Sequence, residues 1–362
     1  MLKDFLLYKP KTISNQQSSR MSLSKNDVAR LHELIATTPE VVIISHHNPD
    51  GDAVGSSLGL FHFFSGIGCK VTPILPNPFP NFLKWLPGSE NIMIASKNLK
   101  TAQKLIREAQ VLCIVDMNAP HRSGDDLKDA ITESKAFKIL IDHHIMPNIE
   151  CDVMLSTPKT TSSCELVYEF LFKYLKKKEH LTKEMAECLY SGIITDTGSL
   201  SYACNRKRTY EILAQLVKQG IDCEQIHRNI YDNYSETRMR LLGHTLANRM
   251  KVLPECATSY TYLTKEDLHA FHFQPGDTEG FVNYGLSMEV VKFTAFFTER
   301  EGRIRVSFRS KGEIDASKFA REHFNGGGHH NAAAAYSYDS LENTIKKFEN
   351  LVNKYKDIIK NK

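Results

Sequence analysis

Four short apolar runs, Val41–Ile44, Val71–Leu75, Val111–Val115 and residues 137–141, are separated by stretches with helical spacing, and three of the four lead directly into histidine or aspartate. Strands alternating with helices in this way predict a mainly parallel sheet covered on both faces. The intervening helices are expected at 53–66, near 100–109 and near 124–133, and an earlier one is signalled by Ser24 and Asn26 ahead of Val28, Leu31, Leu34 and Ile35. In such sheets ligands bind beyond the carboxyl ends of the strands, which is where the acidic and histidine residues fall.

The rhythm changes twice further along. Residues 161–233 read as helical, with runs at 165–175, 184–194 and 209–218, the last ending at Gly220. After about 240 come strand candidates at 259–263, 290–297 and 303–308, a helix at 317–324, a glycine cluster and an amphipathic tail from Leu341. At 362 residues, two α/β domains are expected. The reading divides them as a loose extension at 1–22, a parallel-sheet domain with its helical connector at 23–231, an exposed linker at 232–242 that permits hinge motion, and a smaller α/β domain at 243–362.

With 41% hydrophobic and 24% charged residues, both domains have enough apolar material for a core. The net charge of +4 argues against a long nucleic acid lying along a basic face and leaves small anionic ligands open. The eight cysteines include no C-x-x-C pair and read as reduced core thiols. No apolar signal core or membrane-length segment is present, so a cytoplasmic protein without a membrane partner is expected. A homodimer is compatible with the sequence.

Four clusters carry candidate chemistry: His46-His47-Asn48-Pro49-Asp50-Gly51-Asp52, Asp116, Asp142-His143-His144, and Thr195-Asp196-Thr197-Gly198. Taken singly, a strand-end aspartate is more often a turn or helix cap than a ligand. Taken together, His46, Asp50, Asp52, Asp116, His143 and Asp196 offer six oxygen or nitrogen donors, which suits two metal ions sharing one carboxylate. With no cysteine among them, Mn2+ or Mg2+ is favoured, and Co2+ or catalytic zinc is compatible. In the second domain, Asn325-Gly326-Gly327-Gly328-His329-His330 can bring backbone amides close to an anion, and the Ser307-Phe308-Arg309-Ser310-Lys311 segment carries a guanidinium suited to phosphate.

With these motifs the chain resembles the DHH phosphoesterase superfamily, in the subgroup with a carboxyl-terminal DHHA1 domain, over about residues 25–345. The name motif stands at Asp142-His143-His144, and the H-x-x-P-D-x-D signature is matched from His46 to Asp52. The resemblance implies one metal on His46, Asp50 and Asp116 and another on Asp52, Asp116, His143 and Asp196, with Asp116 bridging. It implies that Asp142 orients His143, and that His144 faces the scissile phosphate as electrostatic partner or general acid. Arg309, Ser310, Gly326, Gly327, Gly328 and His329 would bind the far end of the substrate. Two departures stand out: Ala334 replaces a usual glycine, and Asn325 occupies a position where many relatives have one.

Family members of this length imply hydrolysis of very short oligoribonucleotides and of 3′-phosphoadenosine 5′-phosphate by a water shared between two metals. The long single-strand exonucleases of the superfamily carry a further domain for which this chain has no room. Competing readings are a cyclic or linear dinucleotide phosphodiesterase of the cyclic di-AMP type, a pyrophosphatase or exopolyphosphatase, and an inactive nucleotide sensor. The sensor is disfavoured because all six ligand positions are filled.

Overall fold

The computed structural model describes residues 22–202 and 204–361, so the expected extension at 1–22 lies outside the described residues except for its last position. The described chain divides between Asn233 and Tyr234 into two compact units.

The first unit runs α1 (Lys25–Ala36), β1 (Val41–Ile44), α2 (Gly51–Gly66), β2 (Val71–Leu75), β3 (Met93–Ile94), α3 (Leu99–Glu108), β4 (Val111–Val115), α4 (Asp125–Glu133), β5 (Phe137–Asp142) and β6 (Val153–Ser156). Helices α5 (Ser163–Glu169), α6 (Lys183–Asp196), α7 (Lys207–Val217) and α8 (Cys223–Tyr231) complete it, with α5 passing into a π-helical turn at Phe170–Tyr174. The sheet is parallel throughout, in the order β3-β2-β1-β4-β5-β6. Successive strand residues feed opposite cores. Val41, Ile43, Val111, Cys113 and Val115 pack on one face, while Val42, Ile44, Leu112 and Ile114 pack on the other. That two-sided burial is why these strands read as unbroken apolar runs. The short edge strands β3 and β6 were not expected; two and four residues give too little pattern to recognise.

Chain order reverses between β1 and β4, which are neighbours in the sheet. Such a switch point opens a crevice at the carboxyl ends of the strands. Helix α2 reaches this crevice because its small residues let α6 lie close. A Cβ on Gly51 would come within 2.2 Å of Thr195 Oγ1, and one on Gly55 within 2.5 Å of the Cys188 carbonyl oxygen. Cys69, Cys113, Cys164, Cys188 and Cys256 are buried thiols, in keeping with a core role.

The second unit contains α9 (Glu236–Asn248), β7 (Met250–Leu253), β8 (Thr258–Leu263), α10 (Lys265–Ala270), α11 (Phe281–Leu286), β9 (Phe293–Arg300), β10 (Arg303–Ser310), α12 (Ala316–Phe324), β11 (Gly327–His329), β12 (Ala332–Ser337), α13 (Leu341–Lys354) and α14 (Lys356–Lys360). Its mixed sheet has the order β11-β12-β10-β9-β8-β7, with only β8 and β9 parallel. One face buries Phe293, Phe297, Phe308, Phe319 and Phe348 in a single aromatic core. On the other, Phe296 packs with Phe281 and Val282 of α11 and Leu241 and Leu242 of α9.

The exposed linker expected at 232–242 is largely helix. Ser235 caps α9 by accepting from the Arg238 amide, and Leu241 and Leu242 are buried, so only 232–235 connect the units without helix. No helix among the described residues is long and apolar enough to cross a membrane.

Candidate metal centre

Asp116 follows β4 in a left-handed conformation, φ 54°. For a residue with a Cβ this costs on the order of 1 kcal/mol or more, and such strain concentrates at functional sites. The turn places one carboxylate oxygen toward each of two histidines: Oδ2 lies 3.2 Å from His46 Nε2, and Oδ1 lies 3.4 Å from His143 Nε2. Asp116 is 2% exposed, so both oxygens are held away from bulk water.

Three overlapping donor groups form around these oxygens, one of them Asp116, His143 and His144. His46, Asp50 and Asp116 each present an atom within 4.8 Å of the others, and so do Asp52, His143 and Asp196. His46 Nε2 is 3.9 Å from Asp50 Oδ1, while His143 Nε2 is 3.7 Å from Asp52 Oδ2 and 3.6 Å from Asp196 Oδ2. All six expected ligands therefore converge. His46 turns inward and His47 is exposed, which separates the two neighbouring histidines.

Local structure explains each placement. Asp50 caps α2, its Oδ1 accepting from the amides of Asp52 and Ala53. Asp52 enters from the first turn of α2. Asp196 is the last residue of α6, where the helix dipole disfavours a carboxylate by roughly 0.3–1 kcal/mol. A cation at that point would offset the penalty.

The electrostatics fit divalent cations. Burial and the neighbouring charges of Asp116 and Asp196 push Asp52 well above the usual carboxylate range. Burial acts to raise Asp116 as well, but hydrogen bonds to His143 and His46 and the charge of His144 outweigh it, and the group is held well below its ordinary value. Burial acts to lower His143, and the charges of Asp196, Asp116 and Asp52 more than offset it, so the ring is held well above its ordinary value. Among the described residues, Asp52 and Asp116 have only histidines as cationic partners within 4 Å, and carboxylates buried and crowded in this way would be stabilised by a hard or borderline ion.

The expected link from Asp142 to His143 is replaced by one to His144. Asp142 Oδ1 lies 2.8 Å from His144 Nδ1, and Oδ2 accepts from the His144 amide at 3.1 Å. The carboxylate two residues before the ring is thus taken up by His144. Burial pushes Asp142 to about 7.

Sequence reasoning missed the start of α5. The amides of Ser163 and Cys164 donate to Asp52 Oδ2 and Oδ1 at 2.6 and 2.8 Å, and Ser163 Oγ donates to Asp116 Oδ1 at 3.1 Å. The run Thr160-Thr161-Ser162-Ser163 ahead of a helix, with Glu165 three residues after Ser162, was the available signal. Buried Glu165 organises it, accepting from Thr161 Oγ1 at 2.7 Å and Thr209 Oγ1 at 2.9 Å.

The remaining site candidates lie in the second unit. Arg309 is on β10 and half-buried. Ser310 differs from expectation: it is buried and its hydroxyl donates to the Ile314 carbonyl at 2.6 Å, which ties down the following loop. The glycines have a packing cause, since a Cβ on Gly326 would lie 2.2 Å from the Ala334 carbonyl and one on Gly328 would lie 2.5 Å from that of Ala332. The Gly326 amide donates to Ala320, so it is not open to a ligand, while Gly327 pairs with Ala334 in the sheet. The His329 side chain lies outside the described groups. Asn325 takes φ 50° as the α12 cap, a conformation asparagine shares with glycine, and Ala334 sits exposed in β12, where its methyl is accommodated.

Residues 40–193 match the DHH family, N-terminal domain, and residues 259–361 match the DHHA1 domain. The chain is similar to an exopolyphosphatase-related protein from Bacteroides fragilis, 40% identical with a TM-score of 0.89, covering 94% of this chain and 99% of that one. It is also similar to the Bacillus subtilis bifunctional oligoribonuclease and PAP phosphatase NrnA, 26% identical over 86% of this chain and 94% of the relative. The Listeria monocytogenes cyclic-di-AMP phosphodiesterase PdeA is 26% identical over 85% of this chain but only 46% of its own length.

Proposed function

We propose, from the premise that this chain belongs to the DHH family of phosphoesterases and carries a DHHA1 domain, that it hydrolyses short oligoribonucleotides to mononucleotides and 3′-phosphoadenosine 5′-phosphate to AMP and phosphate, with two divalent cations, manganese foremost. The observation that carries this reading is Asp116, whose two oxygens turn toward different histidines, 3.2 and 3.4 Å away, each belonging to its own donor group. The bifunctional relative matches along nearly its whole length, which supports this substrate class over that of the cyclic di-AMP enzyme, of which the chain spans less than half.

His46, Asp50 and Asp116 would hold one cation, and Asp52, Asp116, His143 and Asp196 the other. When bound, the pair supplies Lewis-acid activation of the attacking water and offsets phosphoryl charge. The chain's own residues do the rest. The Asp142 hydrogen bond fixes His144 through Nδ1, which leaves Nε2 as the ring atom that can hold a proton for the leaving oxygen. The burial of Asp116, Asp142 and His144 keeps bulk water from competing for that proton. Arg309, in the second unit, carries a guanidinium suited to a phosphate.

Phosphate and nucleotide release, measured with manganese on 3′-phosphoadenosine 5′-phosphate, a diadenylate, cyclic di-AMP and pyrophosphate in parallel, tests the proposal. Turnover of the first two alone supports it. A preference for cyclic di-AMP or pyrophosphate overturns the substrate class, and inertness toward all four overturns the enzyme.

A further inference from the structure

The sheet of the second unit is covered unevenly. Residues of β10 alternate between its faces: Ile304, Val306 and Phe308 enter the aromatic core, so Arg303, Arg305, Ser307 and Arg309 share the opposite face. There, Phe296 on β9 packs with Phe281 and Val282 of α11. Over β10 and β12, by contrast, Arg303, Arg305 and Ala334 are exposed, and Tyr336, paired with Arg305, is half-buried.

The charges on this face are arranged against the stability of the fold. Arg300 and Arg303 are directly opposed across the β9–β10 pair, where like charges destabilise a sheet. Arg305 is close enough to add to the effect, since burial and then the Arg305 charge lower the Arg300 guanidinium from its ordinary value. Among the described residues, no carboxylate lies within 4 Å of the guanidinium nitrogens of Arg300, Arg303 or Arg305. Aromatic rings accompany them instead: Arg303 lies over Tyr336 at 4.4 Å and Arg300 over Phe273 at 4.2 Å. Tyr338, the residue after β12, is 76% exposed.

We infer that this bare half-face is a track for a single-stranded oligonucleotide, in which Arg309, Arg305, Arg303 and Arg300 face successive phosphates and Tyr336 and Tyr338 offer ring faces to the bases. Alternate residues on a strand stand about 6.6 Å apart, so Arg309 to Arg303 spans roughly 20 Å. That is too long for the phosphates of a single nucleotide and matches several consecutive phosphodiesters. A basic groove lined with aromatic rings is the general solution for holding single strands without reading their sequence. The inference deepens the proposed function, on which it rests for the fate of the strand: it makes a strand of several nucleotides the ligand that this face is built for.

Binding of fluorescent oligoadenylates of two and six nucleotides to the full chain, with metal chelated so that nothing is cleaved, tests the track. The hexamer is expected to bind tighter than the dimer. Each phosphate contact should contribute about −0.7 to the slope of log affinity against log salt, so Arg303→Gln combined with Arg305→Gln should flatten the slope by about 1.4 and bring the hexamer close to the dimer. The unfolding midpoint of that variant should hold or rise, because a like-charge pair is removed. Tyr338→Ala, at an exposed position, should weaken the hexamer about five-fold or more. An unchanged slope and an unchanged hexamer-to-dimer ratio would overturn the track. Equal displacement of the hexamer by inorganic polyphosphate of matched charge would overturn the oligonucleotide assignment. Turnover of diadenylate by the unaltered, metal-loaded chain is scored separately: its absence would sink the hydrolase reading while leaving the binding result standing.

Discussion

The backbone amide of Ser163 donates to Asp52 Oδ2 at 2.6 Å while its hydroxyl donates to Asp116 Oδ1 at 3.1 Å, so a single residue at the start of α5 holds carboxylates from two other elements. Both acceptors are buried beside further carboxylates and would repel each other without fixed donors. Ser163→Ala removes the hydroxyl and keeps the amide. Metal affinity, measured by titration calorimetry, should fall about ten-fold to a hundred-fold with the fold intact, and Ser163→Thr should restore most of it. Unchanged affinity in the alanine variant would show that the hydroxyl does not orient Asp116.

Asp116→Asn keeps the shape of the side chain but leaves it without a negative charge for two donor groups. Turnover should drop by about 10³-fold or more, on the order of 4 kcal/mol in the barrier, with an unaltered circular dichroism spectrum. Retention of a tenth of the activity would remove Asp116 from the centre of the account.

Much of this centre was legible in the sequence because its ligands follow strands recognisable from apolar runs. Val111–Val115 ending at Asp116 is the plainest case. The parts that were not legible depend on pairings far apart in the chain. Nothing local links Ser163 to Asp52, 111 residues earlier. The transfer of Asp142 from His143 to His144 depends on side-chain directions that a string of three residues does not encode. The helix α9 was hidden for a different reason: an apolar pair, Leu241-Leu242, in a polar stretch looks like a linker until a neighbouring sheet face covers it. The glycine cluster shows the opposite error, since its glycines answer to the closeness of Ala332 and Ala334 as well as to any ligand.

Asp267 ties α10 to α9 and to Arg249, the residue between α9 and β7, in the second unit. Its carboxylate accepts from Arg249 Nε and Nη2, both at 2.9 Å, and lies 2.8 Å from His244 Nε2. Burial acts to raise Asp267, but the Arg249 hydrogen bonds, the Thr264 amide and His244 outweigh it and hold the group at about 2. A carboxyl depressed in the folded state contributes stability above its unfolded value of about 3.9, and that contribution is lost as pH falls through the folded value. Thermal unfolding of the native chain should therefore show an acid-side loss between about pH 4 and pH 2 that Asp267→Asn lacks. Its size is on the order of 1 kcal/mol, because Arg249 is partly exposed to solvent. Identical acid profiles would remove the triad as a determinant of stability.

Phe348 of α13 packs against five core aromatics, with ring centroids 5.4 Å from Phe297, 6.0 Å from Phe293, 6.1 Å from Phe308 and Tyr260, and 6.2 Å from Phe319. Phe348→Ala should destabilise the second unit by about 3–5 kcal/mol in denaturant unfolding. A change under about 1 kcal/mol would mean that this core is not close-packed.

Stripping the chain with a chelator and titrating manganese back, while counting bound ions and following hydrolysis of 3′-phosphoadenosine 5′-phosphate and diadenylate, tests the central claim most directly. Two ions per chain, with activity absent beforehand and restored as the second ion binds, is the result expected from one donor group that contains Asp116 and a second whose His143 lies 3.4 Å from it. Full activity in the stripped protein, or saturation of activity at one ion per chain, would contradict it.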